Sequence, residues 1–96
     1  MAVVLAGERH GRMTYDAAWR IDQGREVRTE ASMIKVFGTK MATDIIDQAM
    51  QTYGATGMTK VMPLQLMASQ VRTIRIYEGP SEVHRWVIAR NQLRPR

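Results

Sequence analysis

Cysteine is absent from this 96-residue chain, and so is any long run of apolar residues. Without a thiol the chain can form neither disulfide bonds nor thiolate metal sites, which agrees with a reducing compartment. A membrane-spanning helix needs roughly 20 consecutive apolar residues, and the sequence contains no such segment. The short apolar start lacks the basic residues that open a secretory signal. We therefore expect no membrane span and a cytoplasmic protein, or one of the mitochondrial matrix in a eukaryote.

Metal ligands and nucleotide-binding motifs are equally scarce. His10 and His84 are the only histidines, and neither has a second ligand at the spacing of a metal site. We therefore predict no metal, and interpret both as ordinary surface residues of helices. The sequence has no Gly-x-Gly-x-x-Gly and no P-loop motif. The pair Gly54 and Gly57 is a weak phosphate signal, although exposed backbone N–H groups there could meet a phosphate.

Negative charge is in the minority, since Lys and Arg number 14 against 9 Asp and Glu, a net charge of +5. The charges alternate in sign along most of the chain, which favours a solvated surface. Four arginines lie near one another in sequence, but the aromatic or amide side chains that read bases are lacking. They are Arg72, Arg75, Arg85 and Arg90. We predict no nucleic-acid partner, and a basic helical nucleic-acid binder is kept as a weaker alternative.

The apolar residues repeat at helical spacing and predict an all-α fold of three to four helices. Residues 1–12 form a poorly specified lead-in, and a first helix spans residues 13–23 and stops at Gly24. The strongest signal runs from about residue 26 to residue 53, where a narrow apolar stripe predicts one long helix. The stripe consists of Val27, Ala31, Ile34, Gly38, Met41, Ile45, Ala49 and Tyr53. Gly38 would let a neighbouring helix approach closely.

Two shorter helices follow the long one. Gly54 ends the long helix and opens a loop that extends to Gly57. Pro63 suits the first position of a third helix, because proline lacks the N–H that this position leaves unpaired. A fourth helix starts near Pro80 with an acid, Glu82, in its first turn. No segment shows the alternating pattern of a strand.

The long helix is about 40 Å long at 1.5 Å per residue, and its partners within the chain are much shorter. Part of its apolar stripe therefore has nothing in this chain to cover it. Eight methionines and a single phenylalanine suit adaptable packing between helices. We expect the long helix to pack against a second copy, in a homo-oligomer, or against the rest of a larger protein.

One short segment, residues 76–82, could carry chemistry. Glu78 lies in a Gly-Pro turn before the fourth helix and follows Tyr77. A carboxylate at such a position can be an acid–base group at the mouth of a pocket. It can equally be the ordinary acid of a helix start, where the helix dipole favours negative charge. The residues alone leave both interpretations open.

Three segments resemble the C-terminal end of acyl-CoA dehydrogenases. They are residues 31–37, 47–57 and 72–90, and the likeness extends in one register over residues 13–93, whereas residues 1–11 match nothing in it. The run Arg-Ile-Tyr-Glu-Gly-x-Ser-Glu in the last segment is the most specific part. The resemblance implies that residues 13–96 are part of the family's C-terminal helical bundle. The family's N-terminal helical domain and β-domain are expected to lie outside this chain.

The resemblance also implies a reaction. These flavoproteins use FAD to desaturate an acyl-CoA thioester between its α and β carbons, as in fatty acid metabolism. In the straight-chain branch, the α-proton is removed by the Glu of the Tyr-Glu-Gly motif, here Glu78, whose backbone N–H can polarise the thioester carbonyl. Burial of a carboxylate makes it a stronger base. Gly79 would permit close approach of the substrate, and Tyr77 would line the acyl pocket. The implied partners are the acyl-CoA substrate and an electron-transfer flavoprotein.

Cofactor contacts are implied at two places. The family's Gln-x-x-Gly-Gly-x-Gly segment contacts the FAD of the neighbouring subunit, and it maps to Gln51, Gly54 and Gly57. Ala55 replaces the middle glycine of that segment. Beside the catalytic turn, Ser81 matches a retained family position.

This sequence departs from the family pattern at the second place. Pro80 stands where one version of the motif has a threonine hydroxyl, and Glu82 stands where it has a glutamine that touches FAD. One donor is lost and an anion is added near a nucleotide. The helix at residues 13–23 is also one residue shorter than its counterpart. We expect the chain alone to be inactive, and the alternative is a standalone helical module that self-assembles or docks onto a partner.

Overall fold

The computed structural model describes residues 2–94, with side chains from Leu5 onward. It contains four α-helices, which are α1 (Ala2–Asp22), α2 (Arg28–Tyr53), α3 (Leu64–Ile74) and α4 (Ser81–Gln92), and one 3₁₀ helix (Gly54–Met58). The described range has no strand, so the predicted all-α fold is confirmed. None of the helices in this range combines the length and the apolar character that a membrane crossing requires.

Helix α1 is about twice as long as predicted. It begins at Ala2, so residues 2–12 are helical and the prediction of a poorly specified lead-in was wrong. Gly7 and Gly11 lower the helix propensity of this segment, which is why the sequence pattern missed it. Packing overrides that propensity, because the ring of His10 stacks on that of Phe37 with centroids 6.2 Å apart and an interplanar angle of 19°.

Gly24 ends α1, as predicted. Its φ of 74° lies in the left-handed region. Its N–H donates to the Ile21 carbonyl at 2.9 Å, and the Arg25 N–H donates to the Arg20 carbonyl at 3.0 Å. These two bonds form a Schellman motif, which satisfies the last carbonyls of the helix. The chain then turns into α2, where Arg20 pairs with Glu30 at 3.2 Å.

Helix α2 is the centre of the structure. α1, α3 and α4 each pack on it, whereas the backbones of these three helices do not approach one another within residues 2–94. The predicted close approach at Gly38 is confirmed, because a Cβ at this position would lie 2.8 Å from Cδ2 of His10 on α1. The His10 ring occupies the space that a side chain at position 38 would need.

Few apolar side chains are buried. Ala17 and Leu64 are the buried hydrophobic residues of the described part, whereas Trp19, Val61 and Trp86 are more than half exposed. The molecule measures 53 × 24 × 20 Å and its radius of gyration is 16.0 Å. A compact domain of about 100 residues has a radius of gyration of about 13 Å. The chain therefore forms an elongated helical layer rather than a closed core.

The apolar stripe of α2 is only partly covered. Ile34 and Gly38 lie beside α1 and α3, in an open apolar groove that His10 and Val71 also line. Met41 and Ile45 line an open, largely apolar groove of about 340 Å³ between α2 and the start of α1. As predicted, the chain itself leaves part of the stripe uncovered.

Candidate active site

The segment that connects α3 to α4, residues 75–81, is a closed loop that we call the Glu78 turn. Its ends are joined by a hydrogen bond of 3.2 Å from the Ser81 N–H to the Arg75 carbonyl. At its tip, Glu78 has a φ of 53° and Gly79 a φ of 91°. Glu78 is the one non-glycine residue with a positive φ in the described range. Such a conformation is unfavourable for a residue with a Cβ, and it persists where surrounding contacts impose it.

Lys35 of α2 supplies the first of these contacts. Its ammonium donates to the carbonyl of Glu78 at 2.9 Å and to that of Gly79 at 2.8 Å, and also to the carbonyl of Tyr77. The Lys35 Nζ also lies 5.7 Å from the centroid of the Tyr77 ring. Three consecutive backbone carbonyls of the Glu78 turn thus converge on one cation.

His84 of α4 supplies the second contact. Its Nε2 lies 3.1 Å from the Glu78 carbonyl, and its Nδ1 lies 3.0 Å from Oγ of Ser32. A carbonyl oxygen can only accept, so Nε2 carries the proton and donates it, and in the neutral imidazole Nδ1 accepts from the Ser32 hydroxyl. Ser32 is 4% exposed, so this bridge ties the tip of the turn to the buried side of α2.

Gly79 makes room for His84. A Cβ at position 79 would lie 2.7 Å from Nε2 of His84, closer than real contacts allow. The left-handed φ of Gly79 also disfavours any residue with a side chain. Sequence reasoning expected Gly79 to permit approach of a substrate, and the structure shows that it permits approach of an imidazole.

The side chains at the tip are exposed. Tyr77 and Glu78 both face solvent. Within residues 2–94, the Glu78 carboxylate makes no hydrogen bond or ion pair. The Glu78 N–H donates no backbone hydrogen bond in that range, unlike the N–H groups of Tyr77 and Ser81. The turn is therefore held through its carbonyls, while the Glu78 carboxylate and N–H have no partner among residues 2–94.

Ser81 and Glu82 open α4 beside the turn. Ser81 is buried, and its N–H closes the loop. Glu82 is exposed and lies 3.8 Å from Arg85 in a surface ion pair. Of the two predicted cofactor residues here, Ser81 is packed inside the chain and Glu82 presents a carboxylate to solvent.

The other predicted cofactor residues lie at the far end of α2. Gln51 and Gly54 line an open cavity of about 260 Å³ with Asp47. Gly54 has a φ of 62°, and its N–H caps α2 by donating to the carbonyls of Met50 and Gln51. That N–H is therefore already used within the chain, which weakens the phosphate signal at Gly54. The presence of Asp47, an anion, in the same cavity also disfavours a phosphate.

Gly57 lies within the 3₁₀ helix, at a place predicted to be an ordinary loop. It is buried, and a Cβ there would lie 2.9 Å from the Met50 carbonyl and 3.2 Å from Cβ of Tyr53. Gly57 thus allows the 3₁₀ helix to fold back against the end of α2. Gly57 therefore contributes to this end of the molecule as a buried packing residue and not as a surface residue.

The structure does not bring the two predicted sites together. Lys35 and Gln51 are 16 positions apart on α2, which is about 24 Å along the helix axis at 1.5 Å per residue. One chain therefore presents the Glu78 carboxylate near one end of α2 and the Gln51 cavity at the other.

Sequence reasoning missed Lys35, Ser32 and His84. His84 was interpreted as a surface residue, but it is half-buried and bridges α2 to the Glu78 turn. Ser32 and Lys35 are three positions apart and so lie on one face of α2. A hydroxyl and a cation at that spacing, next to the apolar stripe, mark a polar face of α2, although they do not reveal which segment this face contacts.

Known proteins with the same features identify the family. The family described as acyl-CoA dehydrogenase, C-terminal domain, matches residues 4–93. The chain belongs to the acyl-CoA dehydrogenase family. The match begins at residue 4, so it takes in most of the segment that sequence reasoning left unplaced. It also places the Glu78 turn within the family's helical C-terminal domain.

One relative and two solved structures are each similar to most of this chain. The chain is 40% identical to (R)-benzylsuccinyl-CoA dehydrogenase of Thauera aromatica over 80 residues, which are 82% of this chain and 20% of that protein. A solved structure of the electron transferring flavoprotein of Acidaminococcus fermentans matches 98% of the chain and 25% of its own, with a TM-score of 0.91 and 28% identity. The FAD complex of PigA matches 92% of the chain and 23% of its own, with a TM-score of 0.86 and 27% identity. The chain thus spans a fifth to a quarter of the length of these proteins.

Proposed function

We propose that this chain is the C-terminal helical part of an FAD-dependent acyl-CoA dehydrogenase in which Glu78 removes the α-proton of the substrate. The observation that carries the proposal is the Glu78 turn. Its backbone is fixed by Lys35 and His84, while the Glu78 carboxylate stays unengaged among the described residues. In a chain of this family, a carboxylate held in that way is the natural candidate for the base.

The α-C–H of a thioester is weakly acidic, so its removal needs a base and a stabilised product. The Glu78 carboxylate takes the proton, and the electron pair of the C–H bond moves into an enolate whose charge develops on the thioester oxygen. The unused Glu78 N–H is a donor that can hold that oxygen. When bound, FAD supplies the acceptor for the β-hydrogen, which leaves as hydride.

The residues of this chain fit FAD at one of the two predicted places. Gln51 presents an exposed amide next to Gly54, which has no side chain, along an open cavity. These two residues would hold a hydroxyl or amide edge of the cofactor, whereas Asp47 makes a phosphate contact unfavourable there. Ser81 is buried and Glu82 is anionic, so neither fits a direct contact with a phosphate as the chain stands. Gly57 supports the Gln51 cavity indirectly, because it lets the 3₁₀ helix pack on Met50 at the end of α2.

We place the cofactor of one subunit near the Gln51 end of another, in a homo-oligomer that covers the apolar groove of α2. The groove of Phe37, Met41 and Ile45 supports this arrangement.

An acyl-CoA thioester is the substrate, and an electron-transfer flavoprotein accepts the electrons, as the family implies. The compartment stays a prediction from the sequence: cytoplasm, or mitochondrial matrix in a eukaryote. Assignment of residues 13–96 to a single partial domain also stays a prediction.

A second candidate is a helical module that self-assembles or docks without catalysis. It is favoured by the large exposed apolar side chains, among them Trp86 and Val61. The coding sequence separates the candidates. A reading frame that continues upstream into a β-domain supports the enzyme, whereas a stop codon there supports the module. Sedimentation of the 96-residue chain as a well-behaved monomer contradicts self-assembly, in the module and in the proposed homo-oligomer alike.

The base assignment is tested with Glu78→Gln in the holoenzyme that carries this segment. The substitution keeps the size of the side chain and removes the proton acceptor, so turnover is expected to fall by about 10²–10⁴-fold. Acyl-CoA binding, measured by titration of the flavin absorbance, is expected to persist. The matched control is Glu8→Gln, an exposed acid on α1 that lies outside both predicted sites, and it should retain turnover. Normal turnover in Glu78→Gln would rule out this residue as the base.

A further inference from the structure

We propose that Lys35 is a positioning residue of this active site, because its ammonium holds the carbonyls of residues 77–79 and so fixes Glu78 in its left-handed conformation. The catalytic consequence of this proposal rests on the proposed function, whereas the structural statement stands on the contacts alone.

All the hydrogen-bonding capacity of Lys35 is directed at the Glu78 turn. A lysine ammonium has three N–H donors and no acceptor, and the carbonyls of Tyr77, Glu78 and Gly79 provide one acceptor for each. Among residues 2–94 no carboxylate pairs with Lys35. Lys40, five positions further along α2, pairs with Asp44 at 3.3 Å instead. Lys35 is therefore a backbone clamp rather than a surface ion pair.

The curvature of the turn follows from this clamp. Successive carbonyls point in alternating directions in a strand and run parallel in a helix, so neither geometry lets three in a row meet one cation. The left-handed φ values of 53° at Glu78 and 91° at Gly79 bend the chain enough for that convergence. Hydrogen bonds from a charged donor are stronger than neutral ones. They offset a conformation that Glu78 would not adopt unaided.

A second anchor limits the remaining freedom of the tip. The Glu78 carbonyl also accepts from His84, which is itself held by the buried Ser32 of α2. Ser32 and Lys35 lie on one face of α2, one turn apart. Lys35 of α2 thus holds the Glu78 backbone directly, and Ser32 of α2 holds it through His84 of α4. Together these contacts set the position from which the Glu78 carboxylate reaches a substrate.

The first experiment measures the backbone of residue 78 in the full chain by NMR. Lys35→Met keeps the stem of the side chain and removes all three donors. The HN–Hα coupling and the Cα and Cβ shifts of Glu78 are expected to move from left-handed to ordinary values. Lys40→Met is the matched control and should leave residue 78 unchanged. A left-handed Glu78 in Lys35→Met, or an equal change in the control, overturns the proposal.

A double-mutant cycle keeps the test informative if Lys35→Met is unstable. Glycine adopts a left-handed φ without support, so Lys35→Met should lower the urea midpoint less in a Glu78→Gly background than in the parent chain. Equal losses in the two backgrounds overturn the proposal. So does general loss of helix in Lys35→Met by circular dichroism when Glu78→Gly does not restore it, because Lys35 would then have a general structural role.

The third experiment measures catalysis in the holoenzyme that carries this segment. Displacement of a catalytic group by about 1 Å can cost about 100-fold in rate, so Lys35→Met should lower kcat by about 100-fold with little change in KM. Lys35→Arg, which keeps the cation and its donors, should recover part of that loss. Full activity in Lys35→Met beside an inactive Glu78→Gln overturns the role of Lys35 alone. Full activity in Glu78→Gln overturns the proposed function and leaves the NMR result to decide the clamp.

Discussion

The two halves of α2 hold their surroundings in opposite ways. The first half carries Lys35, which donates directly to the Glu78 turn, and Ser32, which holds it through His84; these directional hydrogen bonds measure 2.8–3.1 Å. Beyond it, Met41 and Ile45 face an open apolar groove. Hydrogen bonds fix geometry because they depend on angle, whereas apolar burial supplies affinity without direction. The chain thus shapes the Glu78 turn by itself, and it leaves the apolar groove on α2 open.

The largest effect on this contrast is expected from Gly79→Ala. A left-handed φ costs an alanine about 1–2 kcal/mol, and its Cβ would push His84 off the Glu78 carbonyl, which forfeits a hydrogen bond worth about 1 kcal/mol. The free energy of unfolding should fall by about 2–3 kcal/mol in urea titrations. Gly24→Ala is the matched control, since Gly24 is also left-handed but has open space around it. It should cost only the backbone share, and equal losses would show that His84 contributes nothing.

An intermediate effect is expected from Met41→Lys in the apolar groove. The substitution places a charge where a second copy would pack, so self-association should weaken by about 10-fold or more, equivalent to about 1.4 kcal/mol. Analytical ultracentrifugation of the chain measures this as a shift toward monomer. Gln48→Lys, at the rim of the same groove, adds the same charge and should have a smaller effect. If both variants associate like the parent chain, the groove is not the interface.

The smallest effect is expected from Gly7→Ala on α1. A Cβ at position 7 meets nothing within 4 Å, and alanine in place of glycine inside a helix is worth about 0.5–1 kcal/mol. The thermal midpoint should therefore rise. Gly38→Ala, where the Cβ would meet His10, should lower it or leave it unchanged. A gain at both glycines would mean that His10 moves aside without cost, and that α1 is held by something other than this contact.

The helices could be predicted where apolar residues repeat at helical spacing within the segment itself. The bounds of α2 and the starts of α3 and α4 agree with the pattern to within about two residues, which is the usual uncertainty of such boundaries. Gly7 and Gly11 concealed the first half of α1, because only packing against α2 makes that segment helical. Gly57 concealed the 3₁₀ helix, because its packing on Met50 depends on how the chain folds back.

For the candidate site, the sequence suggested a chemistry, which stays a prediction, but not the contacts that build the site. The motif around Glu78 pointed to a base, but the contacts that hold it come from residues distant in sequence. Lys35 reaches the turn across 42–44 positions and Ser32 meets His84 across 52. No local pattern encodes pairs at such separations. Lys35 donates to backbone carbonyls, which every residue has, so no particular residue type in the sequence marks its partners.

The arrangement of three helices around one has a consequence for how the molecule opens. Since α1 meets α2 but not the backbones of α3 or α4, it can detach without breaking any hydrogen bond of Lys35 or His84. Its amides would then exchange with solvent through a local opening, while those of α2, on which the other three α-helices pack, would exchange only when the whole fold opens. The smallest unit that keeps Glu78 in place is therefore α2 together with the two helices that follow it.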